Sequence, residues 1–334
     1  MYEIHRQNAD YLKLLENKHY EQTIYTTYPW VMFLVKNQKA EPVILEILDQ
    51  GELVSVFVGL IITKFGIRIL GSPFEEWFTE EMGFIEIRNC DYGECIQAVK
   101  EYAFKHLKCL FIQITDNKIR LKDIPKDIDY SINKSLILDL RPSETEIFSS
   151  FRKDARKNIR RFEKKGAVLK EVVFDNNFAV TFYDQIKDVF EKQGLQPNYN
   201  LQKIKDMVEA FKDNQDKILA MQVYDPDNIC IASAIYLLYG DWCYSLATAS
   251  YREYQHYLPN EIIRWHGIQY CKNKGSKFFN FCGYREYKLK YAPQIVDIPT
   301  IIIYRYKILV YFKEAARQTI IKYRYLKGII KSDK

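Results

Sequence analysis

Between residues 148 and 166 the chain reads FSSFRKDARKNIRRFEKKG. Phe148, Phe151, Ala155, Ile159 and Phe162 recur at spacings of 3, 4, 4 and 3, the apolar stripe of an amphipathic helix. Lys153, Arg156, Lys157, Arg160, Arg161 and Lys164 fall on the opposite side. Ser143 stands three residues before Glu146, the spacing of a capping box. Gly166 supplies the left-handed residue that stops a helix. The pattern therefore predicts one helix of about five turns, aromatic on one side and densely basic on the other.

Before this helix the pattern predicts helices over 11–21 and from Tyr28-Pro29-Trp30 to about residue 36. Alternating β-branched and aromatic runs predict strands over 42–48, 52–63 and 66–70, joined by hairpin turns at 49–51 and 64–66. Gly71-Ser72-Pro73 breaks the pattern. A helix over 92–107 follows, with Ile96, Val99, Ala103 and Leu107 on one face, then a strand over 110–115. A polar connection over 116–129 leads to a strand over 135–140. After Gly166 a similar order begins again. A strand over 167–174 precedes helices over 177–192 and 201–211, and strands over 217–224, 230–238 and 242–247. Pro259 then opens a helix to about 273, Gly275 ends it, and strands follow over 277–281 and 300–306. The fold class is α+β: tandem units, each a mostly antiparallel sheet flanked by helices.

At 334 residues the chain suits two domains. The expected division is 1–140, a basic linker helix over 141–166, a second unit over 167–306, and a tail over 307–334. Aromatics make up 15% of residues, so large cores can be built. The seven cysteines lie in apolar surroundings with no C-x-x-C pair, and the five histidines do not cluster with them at ligand spacing. Reduced core thiols and no metal site are the expectation. The first 22 residues lack an apolar core and predict no secretory signal. The longest apolar run, 53–63, is too short to span a bilayer.

Charge changes the picture at two places. From Arg152 to Lys165 there are eight basic and two acidic residues. Such a face is either a solvated surface or one whose self-repulsion an anion relieves: a phosphate, a lipid headgroup or RNA. The tail from Arg305 to Lys334 carries nine basic residues against two acidic, which alone exceeds the net charge of +6. Its apolar positions make it a basic amphipathic helix, suited to an anionic membrane surface or to packing on the preceding unit.

The segment LDLRPSETEIFSSFRKDARKNIRRFEKKGAVLKEV resembles the linker helix of Fem-type and CelD-like GNAT acyltransferases. Arg152, Arg156, Asn158, Ile159, Arg160, Lys164 and Gly166 sit on that pattern; Phe162 stands where the group more often has Ala. The stretch SLATASYREYQHYLPNEIIRWHGIQYCKNKGSKFFNFCGYREYKLKYAP resembles the C-terminal core of the same enzymes, through Pro259-Asn260, Gly275, Asn280 to Gly283 and Tyr287-Lys288. Together the two stretches cover about 135–305. The resemblance implies a splayed pair of parallel strands that holds the arm of acyl-CoA by strand addition. A helix N-terminus would receive its phosphates.

On that resemblance Lys288 is the expected catalytic group, stabilising the tetrahedral intermediate; otherwise it is a lysine of a basic surface loop. Arg252, His256, Asn260 and Asn280 are expected on the cofactor, with simple helix capping the other reading of Asn260. Arg152, Arg156, Arg160 and Lys290 are expected on the substrate. The general base is unassigned. The departures are definite: residues 251–259, YREYQHYLP, contain no glycine where the group carries a Gly-rich loop. The long helical hairpin of the peptidoglycan bridge enzymes is also missing. The expected activity moves an acetyl or aminoacyl group from acyl-CoA or aminoacyl-tRNA, with no permanently bound cofactor, to an amine of a cell-envelope sugar or peptidoglycan-type precursor. The competing expectation is a non-catalytic protein of the same fold that binds RNA or an anionic membrane through its basic helix and tail. Either is expected in the cytoplasm, with the tail offering a peripheral dock on the inner face of the membrane.

Overall fold

The computed structural model describes residues 2–306, apart from 19, 75, 76, 192, 193 and 198, together with residue 308. The tail expected over 307–334 otherwise lies outside the described residues. The first half runs β1 (Glu3–Gln7), α1 (Tyr11–Glu16), α2 (Tyr28–Gln38), β2 (Glu41–Asp49), β3 (Glu52–Lys64), β4 (Ile67–Ser72), β5 (Gly83–Glu86), α3 (Tyr92–Lys105), β6 (Phe111–Thr115) and β7 (Asp129–Asp139). The remainder runs α4 (Glu144–Ser150), α5 (Lys153–Phe162), β8 (Val168–Val172), α6 (Asn176–Glu191), α7 (Leu201–Ala210), β9 (Ile218–Tyr224), β10 (Cys230–Tyr239), β11 (Trp242–Ser250), α8 (Pro259–Asn273), β12 (Phe278–Asn280) and β13 (Gln294–Tyr304).

The hairpins form where expected because their turn residues accept positive φ. Gln50 and Gly51 stand at 50° and 83°, Phe65 and Gly66 at 52° and 76°, the twist that a two-residue hairpin loop requires. The basic helix is corrected in one respect. Phe151 is extended (ψ 150°), so the segment breaks into α4 and α5. The apolar stripe survives the break: Ile147, Phe151, Ala155, Ile159 and Phe162 are all buried. The capping box is present, with the Ser143 N–H donating to Glu146 Oε2 at 2.8 Å.

Among the described residues, twelve strands form one path in the order β1-β2-β3-β4-β6-β13-β7-β12-β11-β10-β9-β8, with β5 pairing to β3. The two halves thus share one mostly antiparallel sheet. The last strand crosses back: β13 pairs with β6 (Thr300 opposite Thr115) and with β7 (Gln294 opposite Ile137). It begins six residues earlier than the sequence pattern implied, because Gln294 to Pro299 carry polar and proline residues that mask the strand.

Helices α1, α2, α6 and α7 cover one face and share a core that includes Trp30, Phe33, Val58, Phe182, Met207 and Tyr244, drawn from both halves. Lys36 of α2 pairs with Asp206 of α7 at 3.2 Å. On the other face, α3 covers the first half and α4, α5 and α8 cover the second. Helix α8 sits close to the sheet because residue 267 is glycine: a Cβ there would lie 2.4 Å from the Tyr236 ring. The expectation of seven free thiols is corrected at one pair. Cys243 on β11 and Cys271 on α8 are joined, with Cα atoms 6.1 Å apart.

Candidate active site

The sheet carries two parallel pairs, and they differ. β4 and β6 stay paired to the last residue of β4, Ser72 opposite Ile114. β11 and β12 pair only over Trp242–Tyr244 and Phe278–Asn280. Beyond Tyr244, β11 continues to Ser250 against β10 alone, with a bulge opposite Ile235 and Tyr236. β12 ends at Asn280, and Cys282 and Gly283 adopt positive φ (54° and 79°) as the chain turns away. One edge of β11 is therefore open to an extended ligand, the geometry of strand addition.

Glu80, from the loop before β5, reaches the closed end of this opening. Its Oε1 accepts the Gly283 N–H at 2.7 Å and the Ser135 hydroxyl at 2.6 Å. The same hydroxyl lies 3.0 Å from Asn280 Oδ1. Glu80 Oε2 is buried without a hydrogen-bond partner among the described residues. Burial pushes this carboxyl above its ordinary range, against the pull of Ser135 and Gly283. Tyr25 and Tyr244 meet edge to face beside it, ring centroids 5.0 Å apart, and the Tyr25 hydroxyl lies 3.6 Å from Cys282 Sγ. Buried carboxyl, open parallel edge and aromatic walls are thus assembled from both halves of the chain.

Glu81 is 1% exposed, with Oε2 accepting from the Asn117 N–H at 3.3 Å and Oε1 unpartnered among the described residues. Burial pushes it up to about 8; Lys118 opposes this, and the neighbouring Glu80 and Asp116 add to it. Its ordinary value is 4.5. Between those values the folded chain holds a proton the unfolded chain has lost, so stability falls as pH rises from 4.5 through 8 and then levels off. Glu81→Gln is expected to diminish that fall, leaving the part that the raised Glu80 carboxyl contributes. Thermal melts of both proteins at pH 5 and pH 8 check it, and an undiminished fall in the variant would refute the assignment.

Glu80 also lines a cleft of about 800 Å³ on the shared face. Its floor is the sheet from β3 to β7, and its rim is the end of α2 and the start of α7. The cleft and the strand opening therefore meet at one carboxylate.

The expected site residues separate into groups. Asn280 is at the seam, 1% exposed, accepting the Cys282 N–H at 2.7 Å as well as facing Ser135. Lys288 is buried, and its ammonium donates to three backbone carbonyls, Phe281 at 2.7 Å, Cys282 at 2.9 Å and Gly283 at 3.1 Å. An ammonium has three protons, so all of its donors are engaged in holding the 281–283 turn. Burial lowers it to about 8. Lys290 pairs with Glu261 in the first turn of α8 at 2.7 Å, and its carbonyl accepts the Arg152 N–H at 2.8 Å. Arg156 turns back to the Ser149 carbonyl, and Arg160 lies over the Phe148 ring. Arg252 and His256 are exposed on the 3₁₀ turn Arg252–Tyr257 that stands where a glycine loop was missed, and Asn260 Nδ2 donates to Gln255 of that turn at 3.1 Å. The turn ends at Leu258 in the left-handed conformation (φ 62°), immediately before α8.

Glu80, Glu81, Tyr25 and the cleft were not anticipated. The only sequence sign was two adjacent carboxylates set among Trp77, Met82 and Phe84, apolar neighbours that become buried.

Residues 149–289 match the family described as acetyltransferase (GNAT) domain. A search of curated proteins by sequence returns no match. Among solved structures, FemX superposes with a TM-score of 0.67 at 12% identity, over 89% of this chain and 96% of that one. L-PGS from Bacillus licheniformis superposes with a TM-score of 0.57 at 12% identity, over 93% and 97%. A tandem GNAT protein from the clavulanic acid biosynthesis pathway superposes with a TM-score of 0.53 at 9% identity, over 91% and 98%. These likenesses show a common fold.

Proposed function

We infer, for a chain that carries a GNAT acetyltransferase domain and shares its fold with FemX, L-PGS and a tandem GNAT protein, the following division of labour. The open edge of β11 holds the acyl donor, the cleft holds the acceptor, and Glu80 moves the proton between them. The observation that carries this reading is the position of Glu80. It lines the cleft while bonding to Gly283 and, through Ser135, standing next to the last paired residue of β12.

The acceptor amine enters as an ammonium, drawn by the Glu80 carboxylate. Of its three protons one goes to Glu80, one leaves with the departing sulfur or oxygen of the donor, and one stays on the amide. The nitrogen bonds to the acyl carbon as the C–S or C–O bond breaks. Burial favours the exchange, because a carboxyl with a raised pKa is a better base for an amine than an exposed one. Lys288 is a positioning residue in this scheme: it fixes the turn whose Gly283 N–H holds Glu80. Arg252, His256 and Asn260, grouped at the entry to α8, take the donor's phosphates in place of a glycine loop. Acyl-CoA and aminoacyl-tRNA both present phosphates there. Arg152, Arg156, Arg160 and Lys290 extend the positive field along α5 and the turn before β13. The acceptor class is an amine of a cell-envelope sugar or peptidoglycan-type precursor.

The exposed cations of α5 favour a second reading, in which the chain holds RNA or an anionic membrane without turnover. No helix among the described residues is long and apolar enough to cross a membrane. Both readings are separated by incubating the full chain with labelled acetyl-CoA or with alanyl-tRNA, with and without amine acceptors. The transfer reading expects consumption of one donor, stimulated by acceptor. Salt-sensitive RNA or vesicle binding with no consumption of either donor would favour the second reading.

A further inference from the structure

We propose that the cleft takes a saccharide that carries no anionic group and one primary amine, a 2-amino-2-deoxyhexose unit, with the amine turned to Glu80. This rests on the transfer reading above and narrows its acceptor.

The volume, about 800 Å³, is that of a small-molecule site, with room for one or two sugar rings. Its charges are few. Among the described residues of the lining, Lys64, Lys203 and Glu80 are charged and none is an arginine. Lys64 is exposed at the end of β3, and Lys203 has its ammonium 4.2 Å from the Phe78 ring centre. A nucleoside diphosphate or a peptide carboxylate therefore meets no guanidinium fork, the group that grips such anions bidentately.

What the cleft does offer is amide chemistry held ready. Gln113, a lining residue, is fixed by donating from Nε2 to the Pro73 carbonyl at 3.0 Å, which leaves Oε1 unpartnered among the described residues. Asn133 is fixed by donating from Nδ2 to Thr300 at 2.9 Å, which leaves Oδ1. Gln38 donates to Asn37 at 2.7 Å and keeps Oε1. Asn200 uses Oδ1 to cap α7 at 3.1 Å and keeps its Nδ2 donors. Each amide is anchored at one end and open at the other, so hydroxyl recognition costs little further ordering.

The walls supply apolar faces. Phe74 and Phe111 are stacked, planes 11° apart, and Tyr304 packs against Phe111 with ring centres 5.1 Å apart. All three are half-buried in the lining. Apolar aromatic walls beside neutral amides suit a pyranose ring, with apolar C–H groups and a rim of hydroxyls. The Glu80 carboxylate at one end suits an ammonium.

The test is saturation-transfer NMR and calorimetry on the full chain with glucosamine as the probe. A lysine-terminated peptide and UDP serve as competitors. Glucosamine is expected to saturate one site, to resist both competitors, and to weaken at least tenfold in a Gln113→Ala/Asn133→Ala double variant. Binding of UDP or of the peptide instead of the sugar would overturn the proposal, as would unchanged binding in the double variant. Should that variant fail to fold, hydrogen exchange of the wild type decides. Sugar must protect 111–115 and 129–133, and protection elsewhere or nowhere counts against it. Donor consumption, measured separately, keeps the two readings apart. Consumption without sugar binding removes this acceptor only; sugar binding without consumption of either donor removes the transfer reading only.

Discussion

Glu80→Gln is expected to lower acyl transfer by about 10²–10⁴-fold, the range in which a positioned acid–base group contributes. Glutamine keeps the length and one acceptor oxygen, so the bonds from Gly283 and Ser135 persist. It also removes a carboxyl that is buried at some cost, so the variant's melting temperature should hold or rise. The pH profile provides the second readout. The base must be ionised, and burial raises its pKa, so wild-type kcat/KM climbs with pH through a limb above the ordinary carboxylate range. The glutamine variant should lose that limb along with its rate. Near-normal turnover, or a limb that survives, would show that Glu80 only braces the seam.

The second large effect is expected at Lys288. Lys288→Met keeps the apolar stem but leaves three carbonyls, those of Phe281, Cys282 and Gly283, without their donor. Unsatisfied buried groups cost about 1–3 kcal/mol each, so even partial rescue by water leaves a loss on the order of 3 kcal/mol. Melting temperature should fall, and hydrogen exchange should accelerate over 281–284. Transfer should fall with it, because the Gly283 N–H no longer meets Glu80. A group acting only on the tetrahedral intermediate behaves differently: the methionine variant would then lose rate with its melting curve and exchange pattern unchanged.

The strands were legible where alternation and turn residues agreed. β2, β3 and β4 stand within a residue or two of expectation because Gln50-Gly51 and Phe65-Gly66 fix their hairpins. The polar β1, EIHRQ, and the four-residue β5 were missed; neither shows an apolar alternation long enough to read. The break between α4 and α5 left no sign either. No proline or glycine marks it, and the buried positions 147, 151, 155 and 159 keep helical spacing across it. The site was legible by halves. The motif singles out Asn280 and Lys288, which stand at the seam, but a motif cannot say whether an ammonium faces a substrate or three carbonyls. Glu80 was beyond reach, since its bond to Gly283 spans 203 residues and depends on how the two halves close.

The placement of β13 has a consequence for how the chain is made. The strands on either side of it, β6 and β7, are synthesised more than 150 residues before it. Until residues 294–304 leave the ribosome, both present open hydrogen-bonding edges, and the first half cannot close its sheet. The molecule is therefore committed to a late, long-range zipping step. Any truncation upstream of Gln294 would leave a gap down the middle of the sheet rather than a shorter protein.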